Sequence, residues 1–123
     1  MKTLVLSSND LESLLNLDEL RCQMKEALKS VSSELVLNET RHVADIQNGN
    51  ALGFMPAYSI APQILGYKAV SVFPKNSEHN LNAHQGLMNL LCPQTGRILA
   101  LLDGSTLTAL RTAAVSAVAT EAL

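Results

Sequence analysis

Residues 86–102 read GLMNLLCPQTGRILALL, in which two apolar runs flank the linker Pro93-Gln94-Thr95-Gly96. Proline early and glycine late in so short a linker favour a type I turn followed by a residue in the left-handed conformation. Short apolar runs joined in this way predict a β-hairpin. The other predicted elements precede and follow this hairpin in the chain.

The chain before the hairpin contains more segments that resemble strands. They are short, rich in β-forming residues and separated by Asn, Gly and Pro, and they cover residues 35–38, 41–46, 51–58 and 64–73. Residues 74–83 have the composition of a long polar loop. The middle of the chain therefore predicts a sheet of short strands.

Helices are predicted at both ends of this run of strands. Asn9 with Glu12, and Asn16 with Glu19, have the spacing of capping pairs, and Asp103-Gly104-Ser105 predicts a turn into a final helix over residues 106–123. The second helix has one apolar stripe that we expect in the core, formed by Leu17, Leu20, Met24, Ala27, Leu28 and Val31. At 123 residues the chain predicts a single α+β domain, with helices packed on a mainly antiparallel sheet.

Composition excludes several classes of function. A net charge of -2 and 3% aromatic residues argue against a surface for nucleic acid or anionic membranes. No apolar run approaches the roughly 18 residues of a membrane span, and Leu4-Val5-Leu6 is too short for a secretory signal. Cys22 and Cys92 lie far apart without metal-ligand spacing, so we expect no metal site, two free thiols and a cytoplasmic location.

One arginine stands out in the final helix. From Thr106 to Leu123 the charged residues are Arg111 and Glu121. The start of a helix attracts anions through its free N–H groups and macrodipole, and a guanidinium there can grip a carboxylate or phosphate through two hydrogen bonds. The alternative is an ordinary surface arginine near a helix start.

Two further cations lie on the predicted strands. Arg41 opens one strand, and Lys68 on another shares its face with Val70 and Val72. Such a lysine lies either at the rim of the sheet with its amine in water or in a pocket with an acidic partner. If Arg41, Lys68 and Arg111 converge, they would clamp an α-carboxylate and polarise an adjacent imine or carbonyl.

Short motifs recur in order through most of the chain. They are Gly66-Tyr67-Lys68, Phe73-Pro74-Lys75-Asn76, His84-Gln85-Gly86, Thr95-Gly96, Asp103-Gly104 and Leu107-Thr108-Ala109-Leu110-Arg111-Thr112-Ala113-Ala114. This series resembles the N-terminal half of the ornithine cyclodeaminase/mu-crystallin family. The family includes ornithine cyclodeaminases, alanine dehydrogenases and reductases of imino acids, which use NAD or NADP. The resemblance implies a homodimer formed through this half and a small amino or imino acid as ligand.

The resemblance also assigns roles to particular residues. It implies that Arg41, Lys68 and Arg111 bind the substrate, and that His84, Arg111 and Thr112 lie by the cofactor. Lys68 is the catalytic candidate, orienting the carboxylate or assisting proton movement at the nitrogen during hydride transfer at Cα through an imine. Arg41 follows Thr40, where many members have proline, and His84 taken alone resembles loop structure.

The chain also departs from the family. Members continue into a Rossmann domain that carries the catalytic aspartate, whereas the six glycines here form no GxGxxG fingerprint. We therefore expect residues 1–123 to be one substrate-binding and dimerisation lobe, a truncated part of a two-domain enzyme, inactive alone and without bound NAD or NADP. The alternative is a non-catalytic dimeric module that binds a small carboxylate or a protein partner.

Overall fold

Seven strands form one sheet with three α-helices in the computed structural model, which describes residues 2–123. In chain order the elements are β1 (Leu4–Leu6), α1 (Ser8–Leu14), α2 (Leu17–Ser32), β2 (Val36–Asn38), β3 (His42–Gln47), β4 (Asn50–Ser59), β5 (Ile64–Val72), a 3₁₀ helix (Pro74–His79), β6 (His84–Leu91), β7 (Ile98–Asp103) and α3 (Gly104–Glu121). The predicted α+β class is confirmed.

The sheet is mainly antiparallel, as predicted. Its order is β1-β7-β6-β5-β4-β2, and β3 also pairs with β4. Strand β1 pairs parallel with β7 at one edge. The sequence did not predict β1, because three apolar residues before a polar segment give no periodicity that identifies a strand.

The hairpin of β6 and β7 forms where it was predicted. The backbone N–H of Cys92 donates to the Arg97 carbonyl at 2.8 Å, and the N–H of Gly96 donates to the Cys92 carbonyl at 2.8 Å. Gly96 has a φ of +70°, the left-handed conformation that glycine adopts without steric strain. The linker Pro93-Gln94-Thr95-Gly96 therefore closes the turn as its composition indicates.

The helix starts differ in part from prediction. Ser7 caps α1 by a reciprocal box with Asp10, whose carboxylate accepts from the Ser7 N–H at 2.8 Å, so the predicted Asn9–Glu12 pair is wrong. The cause is β1, which ends at Leu6, so that the extended residue Ser7 caps a helix that begins at Ser8. Asn16 caps α2 as predicted. Asp103 caps α3 by accepting from the Thr106 N–H at 2.7 Å, so α3 begins at Gly104.

The apolar stripe of α2 does not form a core. Leu17, Leu28 and Val31 are 56%, 41% and 50% exposed, and α2 has no buried residue. The helix packs beside α3, and a groove of about 400 Å³ lies between the sheet and a mixed side of α2 that carries Gln23, Glu26, Ala27, Ser30 and Val31. The buried apolar residues are instead Leu11, Ala100 and Ala114. The predicted loop after β5 contains the 3₁₀ helix, which begins at Pro74.

The two faces of the sheet differ in what covers them. The helix face carries α3 and includes Met55, Lys68 and Met88, which the strand register places side by side. The opposite face, which we call the open face, carries Phe54 and Leu87, 41% and 42% exposed. The fold therefore presents Lys68 toward α3 and leaves apolar side chains of the open face in contact with water.

Candidate functional site

A cleft of about 390 Å³ lies between α3 and the two central strands β5 and β6. Its lining residues come from the helix face of the sheet and from one side of the helix: Lys68, Val70, His84, Gln85, Gly86, Gly104, Ser105, Thr108, Ala109 and Thr112. Lys68 and Val70 share this cleft, which confirms that they lie on one face of β5. The cleft contains several of the residues that the motifs single out.

The absence of a side chain on Gly104 lets the helix approach the sheet closely. A Cβ on Gly104 would lie 2.5 Å from the carbonyl carbon of Gly86 and 2.8 Å from the nitrogen of Leu87. Only glycine allows the first turn of α3 to approach β6 this closely. A Cβ on Gly86 would lie 3.5 Å from Cε of Lys68, so glycine there also leaves room beside the lysine stem.

The Lys68 side chain ends at the helix. Its Nζ donates a hydrogen bond to Thr108 Oγ1 at 2.5 Å, and the Thr108 hydroxyl donates to the Gly104 carbonyl at 2.6 Å. Lys68 is half-buried, and within residues 2–123 it forms no salt bridge with a carboxylate. The sequence left two alternatives for Lys68, the rim of the sheet or a pocket with an acidic partner. Lys68 lies in a pocket, but its partner there is the neutral Thr108 hydroxyl and not an acid.

The electrostatics of the cleft are cationic. Burial lowers the pKa of Lys68 below its usual 10.5, and the positive charges of Arg111 and then Arg41 lower that pKa further. Both arginines therefore lie close enough to act on the ammonium. Arg41 precedes β3 and is exposed, and Arg111 is exposed on α3, three residues after Thr108. Neither arginine is among the residues that line the cleft, so their charges reach Lys68 from outside it.

The residues predicted to lie by a cofactor divide into two groups. His84 and Thr112 line the cleft together with Lys68, from the start of β6 and from α3 respectively. Arg111 is not among the lining residues, although its charge reaches Lys68. Sequence reasoning quoted Thr108 in a motif but gave it no role. Its spacing of four from both Gly104 and Thr112, which places all three on one helical face, could have identified it.

The described residues do not have the topology of a dinucleotide-binding fold. Dinucleotide folds use parallel strands joined by crossover helices, with a glycine-rich turn at the phosphates. Between Lys2 and Leu123 the parallel pairing is that of β1 with β7, and the glycines nearest the cleft, Gly86 and Gly104, pack against each other.

Other kinds of site are not seen in the described part of the chain. No three His, Cys, Asp or Glu side chains among residues 2–123 are arranged to hold a metal ion. None of the helices described there is both long and apolar enough to cross a membrane. Cys22 and Cys92 are free thiols.

Known proteins resemble this chain along its length. A family model described as ornithine cyclodeaminase/mu-crystallin matches residues 1–123. The chain is 37% identical over 121 residues to a Δ1-pyrroline-2-carboxylate reductase of Bacillus thuringiensis subsp. konkukian, covering 98% of this chain and 37% of the relative. The resemblance inferred from the motifs is confirmed.

Solved structures show the same fold. A Thermococcus litoralis Δ1-pyrroline-2-carboxylate reductase in complex with NADH and L-proline matches with a TM-score of 0.87 and 30% identity, over 93% of this chain and 36% of that one. An archaeal alanine dehydrogenase dimer with bound NAD matches with a TM-score of 0.85 and 30% identity, over 94% and 35%. This chain therefore spans little more than a third of the length of its relatives.

Proposed function

This chain belongs to the ornithine cyclodeaminase/mu-crystallin family, and on that premise we propose that it is the substrate-binding and dimerisation lobe of an NAD(P)-dependent enzyme acting on a small amino or imino acid. The observation that carries the proposal is the cleft in which Lys68 has no acidic partner within residues 2–123, while the positive charges of Arg111 and Arg41 reach its ammonium. Such a site is unbalanced in charge until an anion enters it.

The proposed ligand group is an α-carboxylate. Arg41 and Arg111 would hold it, because a guanidinium pairs with a carboxylate through two parallel hydrogen bonds. Lys68 would either orient the same carboxylate or deliver a proton to the substrate nitrogen. A lowered pKa suits the second role, since a general acid works best when its pKa is near the working pH.

The surroundings of Lys68 favour an apolar substrate body. The same-face neighbours of Lys68 on β4 and β6 are Met55 and Met88, so neither strand places a carboxylate beside it to pair with a second amine. The residues that line the cleft include Val70 and Ala109 and contain no Asp or Glu, whereas Met55 and Met88 line the separate groove beside α2. We therefore propose a cyclic imino acid of the Δ1-pyrroline-2-carboxylate type, the substrate that a 37% identical relative is named for.

The lobe alone is proposed to bind this ligand without turning it over. Relatives named with NADH or NAD are much longer, since the match covers 36% and 35% of them. In a complete enzyme His84, Arg111 and Thr112 would lie by the end of the cofactor, which supplies the hydride. Alone, the chain is expected to bind neither NAD nor NADP firmly, because residues 2–123 form no dinucleotide fold.

The open face is proposed to form a homodimer. Its exposed apolar side chains include Phe54 and Leu87, and a similar structure is named as an alanine dehydrogenase dimer. Burying such a face removes apolar surface from water. We also propose a cytoplasmic location, which suits the two free thiols, Cys22 and Cys92.

Ligand titration followed by NMR tests the proposal. L-proline and Δ1-pyrroline-2-carboxylate are expected to shift the amide signals of β5, β6 and the first half of α3. Lys68→Met and Arg111→Met should weaken binding, whereas Lys75→Met, which changes an exposed lysine in the 3₁₀ helix, should not. Equal responses from the wild type and both cleft variants, or no response at all, would remove the carboxylate site.

A second candidate is a non-catalytic dimeric module that binds a small carboxylate or a protein partner. The observation in its favour is that residues 2–123 form the cleft and the open face without a dinucleotide fold. The coding sequence after residue 123 separates the two candidates. An in-frame continuation with a glycine-rich strand–turn–helix favours the enzyme, and an immediate stop favours the module.

A further inference from the structure

Lys68 requires something to hold its ammonium in the cleft. Its stem is flexible, and the charges of Arg41 and Arg111 favour a position farther away, in water. Within residues 2–123 no carboxylate is paired with it. The contact that keeps the ammonium in the cleft is the hydrogen bond from Lys68 Nζ to Thr108 Oγ1.

Thr108 is itself fixed on the helix. Its hydroxyl has one hydrogen, which it donates to the Gly104 carbonyl four residues earlier, the usual arrangement for threonine within a helix. The oxygen lone pairs are then available to accept from Lys68. Gly104 in turn is packed on the backbone of Gly86, so the acceptor lies on a closely packed part of the fold.

We propose that Thr108 is a positioning residue for the reaction: it holds the Lys68 ammonium in the cleft through one N–H and leaves the other two free for the substrate. An ammonium has three N–H donors, so one bond to Thr108 leaves two. This inference rests on the proposed function for the substrate, while the Lys68–Thr108 contact is independent of it. Thr108 acts through Lys68 and needs no contact with the ligand.

The test measures the Lys68 side chain directly, by carbon NMR of labelled lysine in Thr108→Val and Thr108→Ser. Valine keeps the shape and removes the acceptor, so Lys68 should move into water, away from both arginines, and its pKa should rise toward 10.5. Serine keeps the hydroxyl and should keep the lowered pKa. If Lys68 stayed in place after the loss of its acceptor, its pKa would be unchanged or fall further, and the proposal would be overturned.

Thr120→Val is the matched control. Thr120 lies on the same helix and donates to the Ser116 carbonyl at 2.9 Å in the same manner, but it does not contact Lys68. This change should leave the Lys68 pKa and ligand affinity unaltered. An equal effect of Thr120→Val and Thr108→Val would mean that loss of any helix hydroxyl perturbs the cleft, which also overturns the proposal.

Ligand binding separates this inference from the proposed function. L-proline affinity should fall about tenfold in Thr108→Val, as expected for a lost hydrogen bond to a charged group, and recover in Thr108→Ser. If the wild type binds no carboxylate while Lys68 responds as described, only the proposed function is removed.

A second measurement applies if Thr108→Val does not fold. In the wild type, NMR relaxation should show that Lys68 Cε is more ordered than Lys75 Cε. Equal mobility of the two side chains would contradict the proposal.

Discussion

Gly104 at the start of α3 packs on the backbone of Gly86 in β6, so closely that a Cβ on Gly104 would lie 2.5 Å from the Gly86 carbonyl carbon. This contact sets the height of the helix above the sheet. Because Thr108 follows one turn later, the same contact also sets the distance over which Lys68 reaches its acceptor. The glycine pair is therefore a support of the cleft as well as a packing contact.

Gly104→Ala is expected to destabilise the fold by about 1–3 kcal/mol, the usual effect of overpacking, because the atoms in its way belong to the backbone. Urea unfolding followed by circular dichroism measures this. Ser105→Ala, at the next position of α3, is the control and should change the free energy of unfolding by less than about 0.5 kcal/mol. A Gly104→Ala chain as stable as the wild type would mean that α3 can shift away from β6.

The charge of Lys68 should appear in the pH dependence of stability. Its pKa is lower in the folded state than its ordinary 10.5, so between the two values the unfolded state binds more protons. Stability relative to Lys68→Met should therefore rise as the pH increases through the folded-state pKa, and level off near 10.5. Saturating L-proline should reduce this rise, because a bound carboxylate raises the lysine pKa. If the free energies of unfolding of the wild type and Lys68→Met change with pH in parallel, the predicted effect of the Lys68 charge is wrong.

Much of the architecture could be predicted from the sequence because its signals are local. The turn at Pro93-Gln94-Thr95-Gly96 and the cap at Asn16 depend on a few adjacent residues, and both form as expected. The apolar stripe of α2 failed as a core prediction, because periodicity shows which side of a helix is apolar and not what packs against it. The Lys68–Thr108 bond joins residues 40 apart and depends on the tertiary fold.

The two long helices are joined by an ion pair between Arg21 of α2 and Glu121 at the end of α3. Glu121→Gln is expected to destabilise the fold by about 0.5–1 kcal/mol, since both side chains are partly exposed, and high salt should reduce the difference. Glu26→Gln is the control, because its pair with Lys29 is more exposed and lies within one helix. Equal effects of the two changes on thermal unfolding would mean that the α2–α3 pair adds nothing.

We expect the chain to form a homodimer through its open face, and we expect one added charge on that face to disrupt the dimer. Leu87 lies near the middle of the sheet on β6 and is 42% exposed, so a second copy that covers it would bury it in the interface. Leu87→Glu should convert the dimer into a monomer in sedimentation, because the carboxylate would be buried without a partner.

Val43→Glu is the matched control for the same experiment. Val43 is 56% exposed, more than Leu87, but its pairing with Gly53 places it on the helix face, away from Phe54 and Leu87. Since residues directly opposite each other in an antiparallel pair share a face, this change adds the same charge without touching the proposed interface. The Val43→Glu chain should therefore remain dimeric. Dissociation by both variants would indicate a general effect of charge, and a monomeric wild type would exclude the open face as an interface of this lobe.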